Sequence, residues 1–180
     1  FFSLVEKGRP YVALKIATSQ DGKITTGNRH NKWITGEAAR NYGHTLRSQY
    51  DAIATGIGTV LADDPALTCR LPGLEDKSPV RVVFDRQGQL PETSQLVKTA
   101  NEVPVWVITS SRRRPGPMPG NGLQAPGVKI LTLPEPSSPT HGPGPGLRRD
   151  DEVTQAVQLL AEQGITRLLV EAGQALTTAF

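Results

Sequence analysis

Several residue types that often carry chemistry are scarce in this sequence. A single cysteine, Cys69, stands among 180 residues, which excludes an internal disulfide. The three histidines, His30, His44 and His141, are scattered along the chain. No Cys/His cluster has the spacing of a zinc site, so we expect no bound metal.

Long apolar runs are also missing. No stretch reaches the ~18 apolar residues that a membrane-spanning helix needs, and the N-terminus lacks the charged-then-apolar order of a signal peptide. The composition, with 37% hydrophobic and 21% charged residues, is typical of a globular protein whose length suits one domain. We therefore expect a cytoplasmic protein with no membrane partner.

Three common catalytic signatures are absent as well. The sequence has no Gly-x-Ser-x-Gly elbow, no Gly-x-x-x-x-Gly-Lys-Ser/Thr loop, and no Gly-x-Gly-x-x-Gly beside its first strand. These absences argue against an ordinary hydrolase, a nucleoside triphosphatase and a Rossmann dehydrogenase.

The charge balance leaves the class of partner open. The net charge is +3 and the isoelectric point is about 9.2. The only dense basic run is Arg112-Arg113-Arg114. An anionic small molecule explains this excess as well as a nucleic acid does.

Six short runs rich in valine and isoleucine predict strands. They lie at about 11–18, 51–55, 80–85, 103–109, 128–133 and 167–171. Because the runs are nearly continuous rather than alternating, we expect strands covered on both faces, as in a mainly parallel α/β sheet. Lys15 is unusual inside the first strand, where it either extends its amine to solvent or faces a ligand.

A helix is predicted from about Gly36 to Gln49. Thr35 can cap its N-terminus, and the spacing of Ala39, Tyr42 and Leu46 gives it one apolar face. Gly43 weakens such a helix, and we interpret it as a point of close packing.

The last third follows the same plan. Asp150 or Asp151 can cap a helix whose apolar stripe contains Val153, Val157 and Leu160 and which Gly164 ends. A further helix is expected to begin near Ala175. The intervening residues 134–146 are rich in proline and glycine and predict a loop.

Polar residues gather where the predicted strands end, which is where ligands collect in open α/β sheets. The first strand is followed by Ser19, Asp21 and Lys23, and the last by Glu171, Ala172 and Gly173. The strand–Glu-Ala-Gly–helix turn can bind an anion or bind nothing.

The second strand is followed by the most polar of these stretches. Gly56 and Gly58 suit a tight exit from the strand, and Asp64-Pro65 is a frequent turn starter. At least one of the adjacent acids Asp63 and Asp64 is therefore expected to be structural. From the residues alone, the sequence predicts an α/β domain that binds a phosphorylated or carboxylated ligand.

Taken in order, five segments resemble one known family. They are RPYVALKIATSQDGKI, KWITGEAAR, LRSQYDAIATGIGTVLADDPALTCRLPG, PVRVVFD and LLVEAGQAL. The succession is similar to the reductase domain of the bifunctional riboflavin-biosynthesis deaminase/reductase. GTVLADDPALTCR is the most specific of these motifs, and the likeness is weakest across residues 86–150.

The resemblance implies a dihydrofolate-reductase-like fold and an NADPH-dependent reduction. The reaction would convert the ribosyl group of 5-amino-6-(5-phosphoribosylamino)uracil to the ribityl form by hydride transfer to C1′ of the opened sugar. Cofactor-binding positions would be Ala17, Trp33, Thr59, Asp63, Arg86, Gly173, Gln174, Ala175, Leu176, Thr177, Thr178 and Ala179. Substrate-binding positions would be Asn31, Arg47, Leu67, Arg70 and Glu171.

Lys15 and Glu171 are the candidate catalytic residues, with Lys15 as a positive group near the reacting sugar. Arg47 and Arg70 suit the substrate phosphate. Within residues 51–70 we expect Thr59 and Asp63 to face the cofactor and Leu67 and Arg70 to face the substrate.

The chain departs from the family pattern at two sites. It has Ser19-Gln20-Asp21-Gly22 where the family has Ser-Leu-Asp-Gly. It also has Asn31 in place of the usual serine two positions before Trp33, which still allows hydrogen bonds.

The resemblance also suggests how the chain relates to a longer protein. Residues 1–9, which open on Phe1-Phe2 without a methionine, resemble the linker to an upstream deaminase domain. Residues 10–180 would be the reductase domain, with its C-terminal end missing, and the family's habit suggests a homodimer.

Two alternatives stay open. One is an NADPH-dependent reductase of the same superfamily with another substrate. The other is a basic module that binds nucleic acid through Arg112, Arg113 and Arg114, although no aromatic residues interleave with them to stack on bases. Those arginines could instead pair with the 2′-phosphate of NADPH.

Overall fold

Helices and strands alternate along the chain. The computed structural model describes residues 2–23, 34–110, 122–134 and 149–180. The strands in these ranges are β1 (Tyr11–Leu14), β2 (Ala52–Gly56), β3 (Val80–Phe84), β4 (Val105–Ser110), β5 (Val128–Leu133) and β6 (Arg167–Val170). The α-helices are α1 (Phe2–Lys7), α2 (Glu37–Gln49), α3 (Ile57–Asp63), α4 (Gln95–Lys98), α5 (Arg149–Glu162) and α6 (Gln174–Thr177).

The strands form one parallel sheet in the order β1-β6-β2-β3-β4-β5. Strand β6 is inserted between β1 and β2, with Leu14 and Ala54 both level with Val170. The register therefore brings the residues that follow β1, β2 and β6 together at one edge of the sheet.

Helices cover both faces of the sheet, and neighbouring strand residues alternate between them. Ala52, Ala54, Val82 and Leu168 belong to the core on the face of α5, together with Val153, Ala156, Val157 and Leu160. Ile53, Val83 and Leu169 belong to the core on the opposite face, together with Val60, Leu96 and Val97. The prediction of an α/β fold with a parallel sheet covered on both faces is confirmed.

All six predicted strands are present; β5 has the predicted bounds, and the other five have shifted ends. Strand β1 stops at Leu14, earlier than the predicted Thr18, because β6, with which it pairs, ends at Val170. The backbone N–H of Lys15 makes one more bond, to the carbonyl oxygen of Val170 at 2.9 Å. Strand β4 begins after Pro104, which has no N–H to donate to a neighbouring strand.

The predicted details of α2 are largely wrong. Its N-cap is Gly36, without a side-chain cap, so Thr35 does not cap the helix. The carbonyl oxygen of Thr35 instead accepts a bond from the Arg40 guanidinium at 2.7 Å. Leu46 packs against the core, but Ala39 is exposed and Tyr42 is 64% exposed.

Helix α3 was not predicted, because Gly56 and Gly58 suggested only a tight exit from β2. Gly56 is the last residue of β2 and the N-cap of α3, whose buried side chain is Val60. Asp64 ends the helix in the left-handed conformation, with φ of 41°. Its carboxylate accepts the backbone N–H of Gln95 at 2.8 Å, so Asp64 has the structural role expected for one of the two acids.

In the described part of the last third, the structure agrees with the prediction except at two helix starts, and residues 135–146 of the predicted loop lie outside the described residues. Gly164, with φ of 90°, ends α5, and the N–H of Ile165 returns to the carbonyl oxygen of Leu160 at 3.1 Å. Asp150 and Asp151 lie inside α5, which begins at Arg149, so neither is its cap. Helix α6 begins at Gln174, one residue earlier than predicted.

The segment predicted as a linker, residues 1–9, contains α1. This helix buries none of its residues, and the hydroxyl of Ser3 donates to the carbonyl oxygen of Pro10 at 3.3 Å. A linker role for the segment stays a prediction.

Two glycines give opposite expectations for replacement by alanine. A Cβ on Gly127, where φ is +78°, would lie 2.2 Å from the carbonyl oxygen of Ala100, whereas none of the described residues lies within 4 Å of a Cβ on Gly43. Gly43 is buried, but no described atom crowds it, so its close packing stays a prediction. We expect Gly127→Ala to lower the free energy of unfolding by more than about 2 kcal/mol, and Gly43→Ala to raise it by about 1 kcal/mol.

Urea denaturation of both variants beside the unaltered protein measures these changes. Equal stability of the two variants would contradict the close approach of Gly127 to residues 100 and 101.

Candidate active site

The carboxyl ends of neighbouring strands place polar side chains along one edge of the sheet. Lys15 follows β1, Glu171 follows β6, Gly56 ends β2, and Arg86 lies two residues after β3. In open parallel sheets this edge is where ligands bind.

Glu171 joins three elements through its carboxylate, which is only 11% exposed. Arg47 of α2 donates from Nε to Oε1 at 2.9 Å and from Nη2 to Oε2 at 3.1 Å. Lys15 donates from Nζ to Oε2 at 3.3 Å. One acid therefore faces two cations, which leaves a net positive charge for an anionic ligand.

The pKa of Glu171 reflects this arrangement. Burial opposes ionisation, but the hydrogen bonds and charges of Arg47 and Lys15 outweigh it and hold the pKa of the carboxyl below its usual value. Glu171 is thus a carboxylate at neutral pH, able to accept hydrogen bonds but not to donate a proton.

A cavity of about 280 Å³, the Glu171 pocket, opens beside this cluster. Its lining is formed by Lys15, Ile16, Ala17, Arg47, Thr59, Asp63, Pro65, Leu67, Glu171, Ala172 and Gly173. Leu67 is buried and has a φ of 55°, which is unusual for a leucine. The pocket wall therefore depends on a backbone conformation that neighbouring groups must hold.

A fully buried arginine, Arg81, supports that wall by hydrogen bonds to backbone carbonyl groups. Nη1 of Arg81 donates to the carbonyl oxygen of Ala66 at 3.3 Å and to the hydroxyl of Thr99 at 2.7 Å. Nη2 donates to the carbonyl oxygens of Thr99 and Val103. Burial lowers the pKa of Arg81 to about 10, so the guanidinium stays charged at neutral pH.

A second cavity of about 480 Å³, the Arg86 groove, runs along α6 and the carboxyl ends of β3 and β4. Most of its lining is apolar, including Ile57, Phe84, Ile108, Leu133, Val153 and Leu176. Arg86 donates from Nη2 to Oε1 of Glu152 at 2.9 Å, and both side chains line the groove. The side chain of Arg86 is 57% exposed while that of Glu152 is 11% exposed, so Arg86 can change partners more easily.

The two cavities share a wall made of Thr59, Asp63 and Gly173. The turn after β6 helps to shape this wall, because the hydroxyl of Thr177 donates to the carbonyl oxygen of Ala172 at 3.1 Å. The two cavities are therefore adjacent, so ligands bound in both would lie close to each other.

A family model decides the relationship of this fold and site to known proteins. The model for the RibD C-terminal domain matches residues 10–180. The chain belongs to this family. The resemblance inferred from the sequence motifs is confirmed.

Curated and solved relatives of the RibD C-terminal domain support the assignment. The riboflavin biosynthesis protein RibD of Bacillus amyloliquefaciens is 36% identical over 184 residues, covering 100% of the chain and 44% of that protein. Acinetobacter baumannii RibD, form 1, superposes with a TM-score of 0.73 at 32% identity, covering 100% of the chain and 44% of that protein.

A third relative is a structure from Thermotoga maritima, described as a diaminohydroxyphosphoribosylaminopyrimidine deaminase/5-amino-6-(5-phosphoribosylamino)uracil reductase. It superposes with a TM-score of 0.68 at 31% identity, covering 98% of the chain and 42% of that protein. The chain thus spans less than half the length of these relatives. The expected dihydrofolate-reductase-like α/β fold is confirmed by these structures.

The structure distributes the family-derived site residues between the two cavities. Lys15, Ala17, Arg47, Leu67 and Glu171 line the Glu171 pocket. Arg86, Leu176 and Ala179 line the Arg86 groove. Thr59, Asp63 and Gly173 line both. The expected contacts of Thr59 and Asp63 with a cofactor, and of Leu67 and Arg70 with a substrate, stay predictions.

The remaining candidates lie elsewhere. Gln174 and Ala175 begin α6, Thr177 bonds to Ala172, and Thr178 is exposed. Arg70 is exposed and lines neither cavity. Asn31, Trp33 and the three arginines 112–114 lie outside the described residues.

The polar turn after β1 bonds mainly within itself. The backbone N–H of Ser19 donates to the carbonyl oxygen of Lys23 at 2.9 Å, and the ammonium of Lys23 lies 3.2 Å from a carboxylate oxygen of Asp21. These three residues line neither cavity.

Sequence reasoning missed Glu152. Its carboxylate faces the groove, but its position in the first turn of α5 is where acidic residues commonly occur. His44 was also missed as a site neighbour. Nothing in the spacing of either residue distinguishes it from an ordinary helix residue.

Within the described ranges, no helix has the length and apolar character to cross a bilayer. In the same part of the chain, no group of three or more histidine, cysteine or acidic side chains is arranged to hold a metal ion.

The charge cluster predicts a pH-dependent effect of Glu171→Gln. At pH 7 the change leaves two cations without their carboxylate and should lower the free energy of unfolding by about 3 kcal/mol. Because the folded-state pKa of Glu171 is depressed, its stabilisation is complete above about pH 4.3 and is lost as the pH falls through the lower folded-state value.

Urea denaturation between pH 3 and pH 7 measures this effect, with the exposed Glu162→Gln as the matched control. A loss for Glu171→Gln that is independent of pH, or equal to the control, would contradict the described ion pairs.

Proposed function

We propose that this chain reduces the ribosyl group of 5-amino-6-(5-phosphoribosylamino)uracil to the ribityl form with NADPH. The observation that carries the proposal is the common wall of the Glu171 pocket and the Arg86 groove, formed by Thr59, Asp63 and Gly173. Membership of the RibD C-terminal domain family and the description of the Thermotoga maritima relative support the same reaction.

The Arg86 groove is the proposed NADPH site. Its volume of about 480 Å³ lies within the ~300–1,000 Å³ of small-molecule sites. Its long apolar walls suit flat rings, and Arg86 supplies a cation for a phosphate. When bound, NADPH supplies a hydride.

The Glu171 pocket is the proposed substrate site. Within the described part of the chain, Arg47 uses three of its five N–H donors on Glu171 and Thr68, and the other two can bind an anionic ligand. Glu171, ionised by its partners, can accept hydrogen bonds from sugar hydroxyls or from the pyrimidine. Lys15 holds a positive charge in the pocket beside the reacting sugar.

Several wider expectations are part of the proposal. Residues 10–180 would form the reductase domain and residues 1–9 would join it to an upstream deaminase domain. The protein would act as a cytoplasmic homodimer. The length of the curated relatives, of which the chain covers less than half, supports the additional domain.

An activity assay tests the reaction and the substrate site together. The complete protein that carries this chain should oxidise NADPH only when the phosphoribosylaminouracil is present. The family resemblance makes Arg70, which lies outside both cavities three residues after Leu67, the proposed phosphate contact. Arg70→Ala should therefore raise the KM for that substrate about tenfold, with little change in the KM for NADPH.

Arg167→Ala, at the opposite end of β6, removes the same charge and serves as the control. No substrate-dependent NADPH oxidation by the unaltered protein would contradict the function. An equal effect of Arg70→Ala and Arg167→Ala would contradict the role of Arg70.

The Arg86–Glu152 ion pair predicts opposite effects of two substitutions on NADPH binding. Arg86→Ala removes the cation of the groove and should weaken binding about tenfold. Glu152→Gln removes a carboxylate that competes with phosphate for Arg86 and should tighten binding a few-fold. Titration of NADPH followed by calorimetry measures both, and weaker binding by Glu152→Gln would show that Arg86 does not exchange partners.

A further inference from the structure

His44 bridges α2 to the backbone that follows Leu67. It lies on α2, one turn before Arg47, and is half-buried. Its Nδ1 lies 3.1 Å from the carbonyl oxygen of Thr68 and 3.2 Å from the backbone nitrogen of Arg70. The family-derived site residues do not include it, although it contacts the segment that carries Arg70.

Nδ1 cannot serve both neighbours at once. The Thr68 carbonyl needs a proton on Nδ1, whereas the Arg70 N–H needs its lone pair. Nη1 of Arg47 already donates to the Thr68 carbonyl at 3.0 Å. The arrangement that satisfies all three groups is a neutral ring with its proton on Nε2, which accepts the Arg70 N–H at Nδ1.

Burial and the charges around the ring favour the same neutral form. Burial is the largest cause, followed by the charges of Arg47 on its own helix and Arg70 on the segment, and together they lower the pKa of His44. The Thr68 carbonyl and Glu171 act in the opposite direction with smaller effect. His44 is therefore neutral at pH 7.

The segment from Asp64 to Arg70 needs such an anchor. Asp64 and Leu67 both have positive φ, a conformation that these residues rarely adopt. Arg81 donates a hydrogen bond to the carbonyl oxygen of Ala66. His44 and Arg47, both on α2, contact the backbone of residues 68–70. In addition, the thiol of Cys69 contacts the carbonyl oxygen of His44 at 3.4 Å.

We propose that His44 is a positioning residue of the substrate site: its neutral ring fixes the backbone of residues 68–70 and thereby aligns Arg70 and Arg47 for the substrate phosphate. The inference rests on the proposed function. Protonation would turn an N–H toward the Thr68 carbonyl and leave the Arg70 N–H without this acceptor, and the new charge would repel the guanidinium groups of Arg47 and Arg70 and disturb their alignment. Substrate binding should therefore weaken on acidification.

Two substitutions separate this role from simple packing. In His44→Gln, the amide can accept from the Arg70 N–H and donate to the Thr68 carbonyl at the same time, and it does not titrate. His44→Leu loses the acceptor for the Arg70 N–H. Gln49→Leu, at an exposed position of the same helix, is the matched control for an added apolar side chain.

The experiment measures KM and kcat for the phosphoribosylaminouracil, and the Kd for NADPH, from pH 5 to pH 8 in the complete protein. We expect His44→Leu to raise the substrate KM about tenfold at pH 7.5, with kcat and NADPH affinity nearly unchanged. His44→Gln and Gln49→Leu should keep the KM of the unaltered protein.

The dependence of KM on pH is a measurement that a loss of packing alone would not change. The substrate phosphate titrates near pH 6 in every variant, so the comparison isolates His44. We expect an increase in KM below about pH 6.5 in the unaltered protein that exceeds the increase in His44→Gln.

Three results would overturn the inference: an unchanged KM in His44→Leu, identical profiles for the unaltered protein and His44→Gln, or tighter substrate binding at acid pH in the unaltered protein alone. Failure of the unaltered protein to turn over the substrate is a different outcome. It would contradict the proposed function, and the inference with it.

Discussion

The site depends on the neutralisation of one nearly buried negative charge. Glu171 follows β6 in the interior of the sheet, where an unpaired carboxylate would be costly. The insertion of β6 between β1 and β2 brings Lys15 alongside it, and α2 brings Arg47 from the covering layer. The strand order, the position of α2 and the ionised state of Glu171 are therefore linked, because a shift of either element would leave a charge without its partner.

The strands could be predicted from the sequence because burial on both faces requires nearly continuous apolar runs. The helices on the carboxyl side of the sheet were harder to predict. Helix α3 has one buried side chain, Val60, and is preceded by a glycine, so its apolar pattern is too weak to distinguish it from a turn. Helix α2 directs His44 and Arg47 toward the site, whereas the expected apolar residues Ala39 and Tyr42 lie exposed.

The location of the site could be predicted more completely than the set of residues that form it. The rule for parallel sheets identified the edge that carries Lys15 and Glu171, and the family resemblance supplied individual residues such as Thr59 and Arg86. Neither route could identify Glu152. It is far from Arg86 in the sequence, and only the packing of α5 against the sheet brings the two together. The shared wall was likewise unpredictable, because a residue between two cavities has the same local sequence as one beside a single cavity.

The two cavities differ in how firmly their charged groups are held. On the side of the Glu171 pocket, Arg47 makes three hydrogen bonds and the adjacent segment is tied by Arg81, His44 and the Asp64 carboxylate. A ligand that binds there meets groups already in position and has little ordering to oppose its affinity. In the Arg86 groove, the cation is mostly exposed, and the proposed cofactor phosphate would have to replace Glu152 as its partner. Such a difference suits the proposed reaction, which would hold the sugar in one geometry and exchange the cofactor in every cycle.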